Sequence, residues 1–217
     1  MKGCFYAVVF SVITAGLAAA QTTGVGIAAK VGTLGYGGDL TIGLGQYLSF
    51  RGGYNTLALK RDVDLDEATV KGKLAWQTIP LLLDWHPWGQ GFRVSAGGVI
   101  NDNAIKLSAD MKQTLELENT EYSVESLDGS ITFNRGSLYL GIGYGNAAGT
   151  DGRWHFACDF GVMYHGEPEV NAHATARDPA QQANLDRDLQ METDNLQHDM
   201  KGFQYYPVIA VGVSYAF

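Results

Sequence analysis

The sequence predicts an all-β protein: an eight-stranded antiparallel transmembrane β-barrel with one helix in its last outer loop. Three observations carry that expectation. The chain ends in an unbroken alternation of apolar and small residues running to a terminal aromatic, seven earlier segments share its period, and the connections between them alternate between short and long.

The chain has 217 residues, a length that a single barrel accommodates. Residues 1–20 read as a cleaved signal peptide: Lys2 is the positive start, Phe5 to Leu17 is apolar, and Ala18-Ala19-Ala20 supplies the small residues a signal peptidase needs. Cleavage after Ala20 leaves Gln21 first and residues 21–217 as the barrel. The apolar stretch is short for about 30 Å of hydrocarbon, which argues against a membrane helix. Cys4 lies too early for a lipid-attachment cysteine, and Cys158 then stands alone, so no intramolecular disulfide is expected. Loss of Lys2 moves the formal charge from −8 to −9, which disfavours nucleic acid as a partner. No later segment has the length and apolarity of a membrane helix. A mature chain in a membrane must therefore be a closed barrel, which satisfies every backbone group in lipid.

In the last segment Phe203, Tyr205, Pro207, Ile209, Val211, Val213, Tyr215 and Phe217 share one parity, opposite Gln204, Tyr206, Val208, Ala210, Gly212, Ser214 and Ala216. Aromatics at both ends of one face suit a lipid-facing strand. Going back to the start, Val25, Ile27, Ala29 and Val31 oppose Gly26, Ala28, Lys30 and Gly32, and Leu40, Ile42 and Leu44 oppose Asp39, Thr41 and Gly43. Phe50 and Tyr54 oppose Arg51, Gly53 and Asn55. Val70, Leu74 and Trp76 face out with Lys71, Lys73 and Gln77 inward, and the parity is expected to slip at a bulge near Pro80. Phe92, Val94 and Ala96 oppose Arg93, Ser95 and Gly97. Leu138, Leu140, Ile142 and Tyr144 oppose Ser137, Tyr139 and three glycines. Trp154, Phe156, Phe160, Val162 and Tyr164 oppose Arg153, His155, Asp159 and His165.

The even-numbered connections are short: Gly45 to Tyr47, Trp85 to Gly91, and Asn146 to the Asp151-Gly152 turn. The third, fifth and seventh are long and charged: Arg61 to Thr69, Asp110 to Arg135, and Glu167 to Lys201. The first, around Gly35 to Gly38, is short. This pattern puts both termini on the periplasmic side of a bacterial outer membrane.

The chain resembles the small outer-membrane barrel superfamily that includes OmpA-like and OmpW-like proteins, over essentially all of residues 21–217. The resemblance rests on Val211-Gly212-Val213-Ser214-Tyr215-Ala216-Phe217, on the Leu138 to Gly145 strand, and on Leu83 to Trp88 running into Phe92 to Gly98. It implies insertion by the barrel-assembly machinery, with Tyr215 and Phe217 as the assembly signal. Outer-membrane lipid and lipopolysaccharide are the implied surroundings. The resemblance covers the barrel alone, so the cell-wall anchoring of two-domain relatives is not expected.

Candidate chemistry is sparse. Asp62-Val63-Asp64-Leu65-Asp66 opens like a calcium loop, but Glu67 stands where glycine is needed and Lys73 where glutamate is needed, so no metal site is expected. His155 and Asp159 share a face but lie roughly 13 Å apart along the strand, too far for a base and its orienting carboxylate. The His-x-Ser arrangement of lipid A deacylase barrels is absent, and Gly24-Val25-Gly26 and Gly141-Ile142-Gly143 open no helix as a nucleotide site would. These glycines read as room in a narrow lumen. No catalytic residue and no cofactor are expected.

Two structural features complete the expectation. Asp178, Pro179 and Gln181 form a helix start, Leu185, Leu189, Leu196 and Met200 share a helical face, and Gly202 ends it, giving a loop helix over residues 178–201. Arg51, Asp84 and Arg93 fall near the periplasmic ends of adjacent strands, and the expectation is an ion cluster there that plugs the lumen. An eight-stranded barrel has room for side chains and no wide channel. The expected role is therefore non-enzymatic, structural or surface-interacting. The alternatives are a small-ligand carrier or narrow conduit gated by the helix and, third, a lipid A-modifying enzyme.

Overall fold

The computed structural model describes residues 24–64, 68–89, 91–111, 114–117, 120–148 and 153–217. The expected signal segment, Leu65 to Glu67 of the acidic loop, and the Asp151-Gly152 turn lie outside them. In chain order the strands are β1 (Val25–Gly32), β2 (Gly35–Gly43), β3 (Leu48–Asp64), β4 (Ala68–Trp85), β5 (Phe92–Asn101), β6 (Ala104–Met111), β7 (Thr114–Leu117), β8 (Thr120–Thr132), β9 (Gly136–Tyr144), β10 (Trp154–Tyr164) and β11 (Glu169–Ala176). Helix α1 (Gln182–Asp199) follows, with a 3-10 turn at each end, and then β12 (Tyr205–Ala216).

Eight strands close a ring in the order β1–β2–β3–β4–β5–β9–β10–β12, all antiparallel, with β12 paired back on β1. The start of β1 and the end of β12 share one rim, called the lower rim here. Alternation sends one parity outward to form an apolar belt that includes Ile27, Leu40, Leu83, Leu140, Ile142, Phe156, Phe160, Ile209 and Val213, each about half exposed. Trp85, Trp154, Tyr144 and Phe217 edge the belt below, and Tyr36, Tyr54, Tyr164 and Tyr205 edge it above. A continuous apolar ring with aromatic girdles is the outer surface of a barrel solvated by lipid.

Five barrel strands do not stop at the upper girdle. β6 continues β5 past Asp102 and Asn103 in the same register on β4, as Thr78 opposite Asn101 and Ala75 opposite Ala104 show. β8 runs into β9 likewise, and β11 extends β10 with a one-residue shift. With the upper halves of β3 and β4 they form a curved wall, β3–β4–β6–β8–β11, while β1, β2 and β12 end at the girdle. Of the stretches expected as long loops, residues 61–64 and 68–69, most of 110–135, and Glu169–Ala176 ahead of the expected helix are thus strand. Both faces of the wall meet water over much of its area, so the apolar alternation that marks the belt is weak there.

Two further expectations are corrected. There is no slip at Pro80: Trp76, Thr78, Pro80, Leu82 and Asp84 share the inward parity, and Lys71, Lys73 and Gln77 lie on the outer side. Leu82 misled the parity because it is apolar yet faces the lumen, where it is 4% exposed. The first upper turn is Thr33-Leu34, not Gly35 to Gly38; Gly35, at φ 96°, already begins β2 in a conformation that favours glycine.

Asp178 accepts from the Ala180 amide, and Pro179 opens the first turn. Leu185 and Leu189 pack on Tyr122, Val124, Ala174 and Ala176, on the wall's concave side. The helix also lies along the free edge of β11. Gln182 accepts from the Ala176 amide and donates to the Ala174 carbonyl, and Gln197 does the same with Val170 and Pro168.

Candidate functional site: the closed lumen

The lower lumen is filled by charge. Arg51, from β3, donates through Nε to Asp84 Oδ2 at 2.8 Å and through Nη2 to Asp84 Oδ1 at 3.1 Å, a fork pairing with a carboxylate on the adjacent strand. Its Nη1 reaches Asp159 at 3.0 Å and Asp39 at 3.4 Å. β10 stands opposite β3 in the ring of eight, so the Arg51–Asp159 bond crosses the lumen. Arg93 donates to the other Asp159 oxygen at 2.8 Å and to the carbonyls of Gly145 and Cys158. Lys30 closes on Asp39 at 2.8 Å. Ser95 donates to Asp84 at 2.5 Å.

The expected trio is therefore part of a larger set. Arg51 and Asp84 are directly bonded, whereas the nearest Arg93 nitrogen stands 4.0 Å from Asp84 and takes Asp159 as its partner. Three cations, Lys30, Arg51 and Arg93, face three carboxylates, Asp39, Asp84 and Asp159, so the cluster is neutral. Five of the six are below a tenth exposed. Neutrality with charge-assisted bonds is what makes such burial tolerable. Asp159, Asp39 and Lys30 all have the inward parity in the sequence. Their membership depends on contacts across the lumen, which strand adjacency alone does not reveal.

Inward glycines make the room. A Cβ on Gly53 would stand 1.9 Å from Asp39 Oδ1, and one on Gly143 would stand 2.8 Å from Asp159 Oδ1. Above the charges lies an apolar layer of Leu82, Val99, Tyr139, Met163 and Val208. Above that, at the mouth, Trp76 donates to Tyr206 at 3.1 Å and packs edge-on to Phe133, which packs on His165. Among the described residues the lumen holds a cavity of about 30 Å³ between the charges and the apolar layer and one of about 20 Å³ around the cluster itself, each of water-molecule size.

Ser49 Oγ and His86 Nε2 lie 3.2 Å apart at the lower end, both buried. They border the smaller cavity, whose volume of about 20 Å³ is water-sized. No group of three metal-ligating side chains occurs among the described residues. Tyr215 lies on the outer face, edge-on to Trp154 and Phe217 at ring separations of 5.2 and 5.1 Å.

No protein-family model matches the chain, and no curated protein matches it. Its fold is similar to solved structures that include two from one organism. One is CarO2 of Acinetobacter baumannii, at a TM-score of 0.58 and 22% identity over 91% of this chain and 100% of that one. The other is CarO of the same organism, at 0.57 and 23% over 89% and 98%. At these identities the likeness is one of fold: a small closed barrel.

Proposed function

We propose that the chain is a non-enzymatic outer-membrane protein whose barrel anchors the upper wall and helix at the cell surface, where they make contacts. The filled lumen carries this reading: among the described residues a neutral ion cluster, an apolar layer and an aromatic mouth fill it, and the cavities between the layers are water-sized. The belt and girdles support a bilayer setting, with the lower rim periplasmic and the wall outside. Barrel assembly by the outer-membrane machinery, with Tyr215 and Phe217 in the signal, belongs to the same reading. The buried Ser49–His86 pair, beside a water-sized cavity, favours the non-enzymatic role.

Planar-bilayer recording of the purified barrel tests it. The expected result is no discrete conductance for the full chain and none after a long flexible linker replaces α1. Conductance steps that appear only without α1 would replace this reading with a helix-gated conduit.

A further inference from the structure

The outer side of the wall carries an unneutralised cationic row. Lys60 on β3 is directly opposite Lys73 on β4, and Lys73 is directly opposite Lys106 on β6. Their Cβ atoms are thus about 5 Å apart in sequence across three strands, a spacing at which like charges repel. All three are exposed, and none is paired with a carboxylate among the described residues. Ser130 and Asn171 extend the row on β8 and β11 with hydrogen-bonding groups.

The neighbouring row differs. Lys71 is paired with Asp110 at 3.0 Å, and Asp128 is held by Ser108. A groove of about 660 Å³ runs over this face, and its polar lining includes Lys71, Lys73, Lys106, Asp128, Asn171 and His173. Asp62, Asp110 and Asp128 share this outer face in the rows beside the lysines, and the acidic helix lies on the concave side.

Height identifies the anion. Ile79 and Ile100, directly opposed, are the last large apolar pair of the belt on β4 and β5. Lys73 and Lys106 lie six residues further up (79 to 73, 100 to 106), roughly 20 Å along the strand. At the usual tilt that is about 15 Å above the belt, level with the headgroups and inner sugars of an outer leaflet. We infer that the Lys60–Lys73–Lys106 row is a docking site for phosphate groups of the surrounding lipopolysaccharide. Three ammonium groups in a line match a run of phosphates, and bound phosphates remove the repulsion that the bare row carries. The inference rests on the outer-membrane reading, with the wall outside.

The test compares the full chain with K60Q/K73Q/K106Q in detergent, titrated with purified phosphorylated lipopolysaccharide, with the same material after dephosphorylation, and with inorganic phosphate. Near an anionic surface each lysine contributes about a factor of five, so the triple variant should bind roughly a hundredfold more weakly. Dephosphorylation should weaken wild-type binding comparably. Without lipopolysaccharide the variant should be at least as stable, because repulsion has been removed. Unchanged binding by the variant, equal binding of dephosphorylated material, or equal stabilisation by inorganic phosphate would each overturn the proposal. Fractionation and heat-modifiable migration of the wild type report the outer-membrane reading separately.

Discussion

Asp84 is the most deeply buried charge among the described residues. It is 1% exposed and accepts a guanidinium fork from Arg51 and a hydroxyl from Ser95. Removing one partner of a buried pair typically costs about 3–5 kcal/mol, because the other is left charged and unpaired. Asp84→Ala should therefore lower the urea midpoint in detergent far more than Glu167→Ala, an exposed loop change expected within about 0.5 kcal/mol. Equal midpoints would mean that Asp159 and Asp39 hold Arg51 without it. A second residue-scale case lies in the wall. Tyr122 donates to Asp188 of α1, which holds the Asp188 carboxyl below its usual range and pushes the Tyr122 phenol up. The carboxyl's contribution is present above the unfolded value near 3.9 and lost as pH falls through the lower folded value. The phenol's contribution is present below its unfolded value near 10 and lost at higher pH. Limited proteolysis of α1 should accelerate below about pH 4 and above about pH 10, and Tyr122→Phe should flatten both limbs. Identical pH profiles for Tyr122→Phe and wild type would detach the helix from this bond.

Helix α1 protects an edge. The amide and carbonyl of an edge strand are a template for pairing with another chain. Gln182 and Gln197 occupy two points along that edge with side-chain amides. Fifteen residues of helix rise about 22 Å, and the six residues from Val170 to Ala176 span about 20 Å, so the two clamps stay in register. In Q182A/Q197A, hydrogen exchange at the Val170 and Ala176 amides should speed up about tenfold, the equivalent of one lost bond each. Exchange there at the wild-type rate would mean that packing by Leu185 and Leu189 suffices. Deleting Pro179 to Lys201 outright leaves five residues between Ala176 and Tyr205, too few to descend twelve residues of wall, roughly 40 Å; a longer flexible linker is required. The helix, its Asp178 start and its Leu185 and Leu189 face were legible, because capping and a 3.6-residue period are local. The edge it covers was not, because β11 has no strong alternation: Glu169 and Asn171 oppose Val170 and Ala172, and water meets much of both faces.

Over the whole molecule, closure depends on β12. It pairs with β1 through Gly26 opposite Ala216 and with β10 through Trp154 opposite Tyr215, so both seams end at the last residues of the chain. The ring was legible in the sequence from alternation and from the spacing of the connections, since inward Arg51, Arg93 and Ser214 alternate with outward apolar residues. On β4 the parity misleads, and the sequence places Asp84 inward only through a slip at Pro80 that the structure does not have. The sequence could not show that the charges meet across the lumen, which follows only once eight tilted strands set a narrow diameter. Phe217 finishes the outer seam: its amide donates to the Val25 carbonyl at 2.9 Å, and its ring packs edge-on to Tyr215. Deleting Phe217 removes a backbone bond at the closing edge and an aromatic from the lower girdle, and under the assembly reading it also removes the terminal signal. The finished fold should tolerate the loss of one rim bond, about 1 kcal/mol, so material refolded in detergent should migrate like wild type. Insertion in cells should fall much further, because an unrecognised last strand leaves the ring open at both seams. Folded, heat-modifiable protein should drop in the outer-membrane fraction while the purified variant refolds normally. Equal losses in both settings would make Phe217 a stability residue and remove it from the assembly signal.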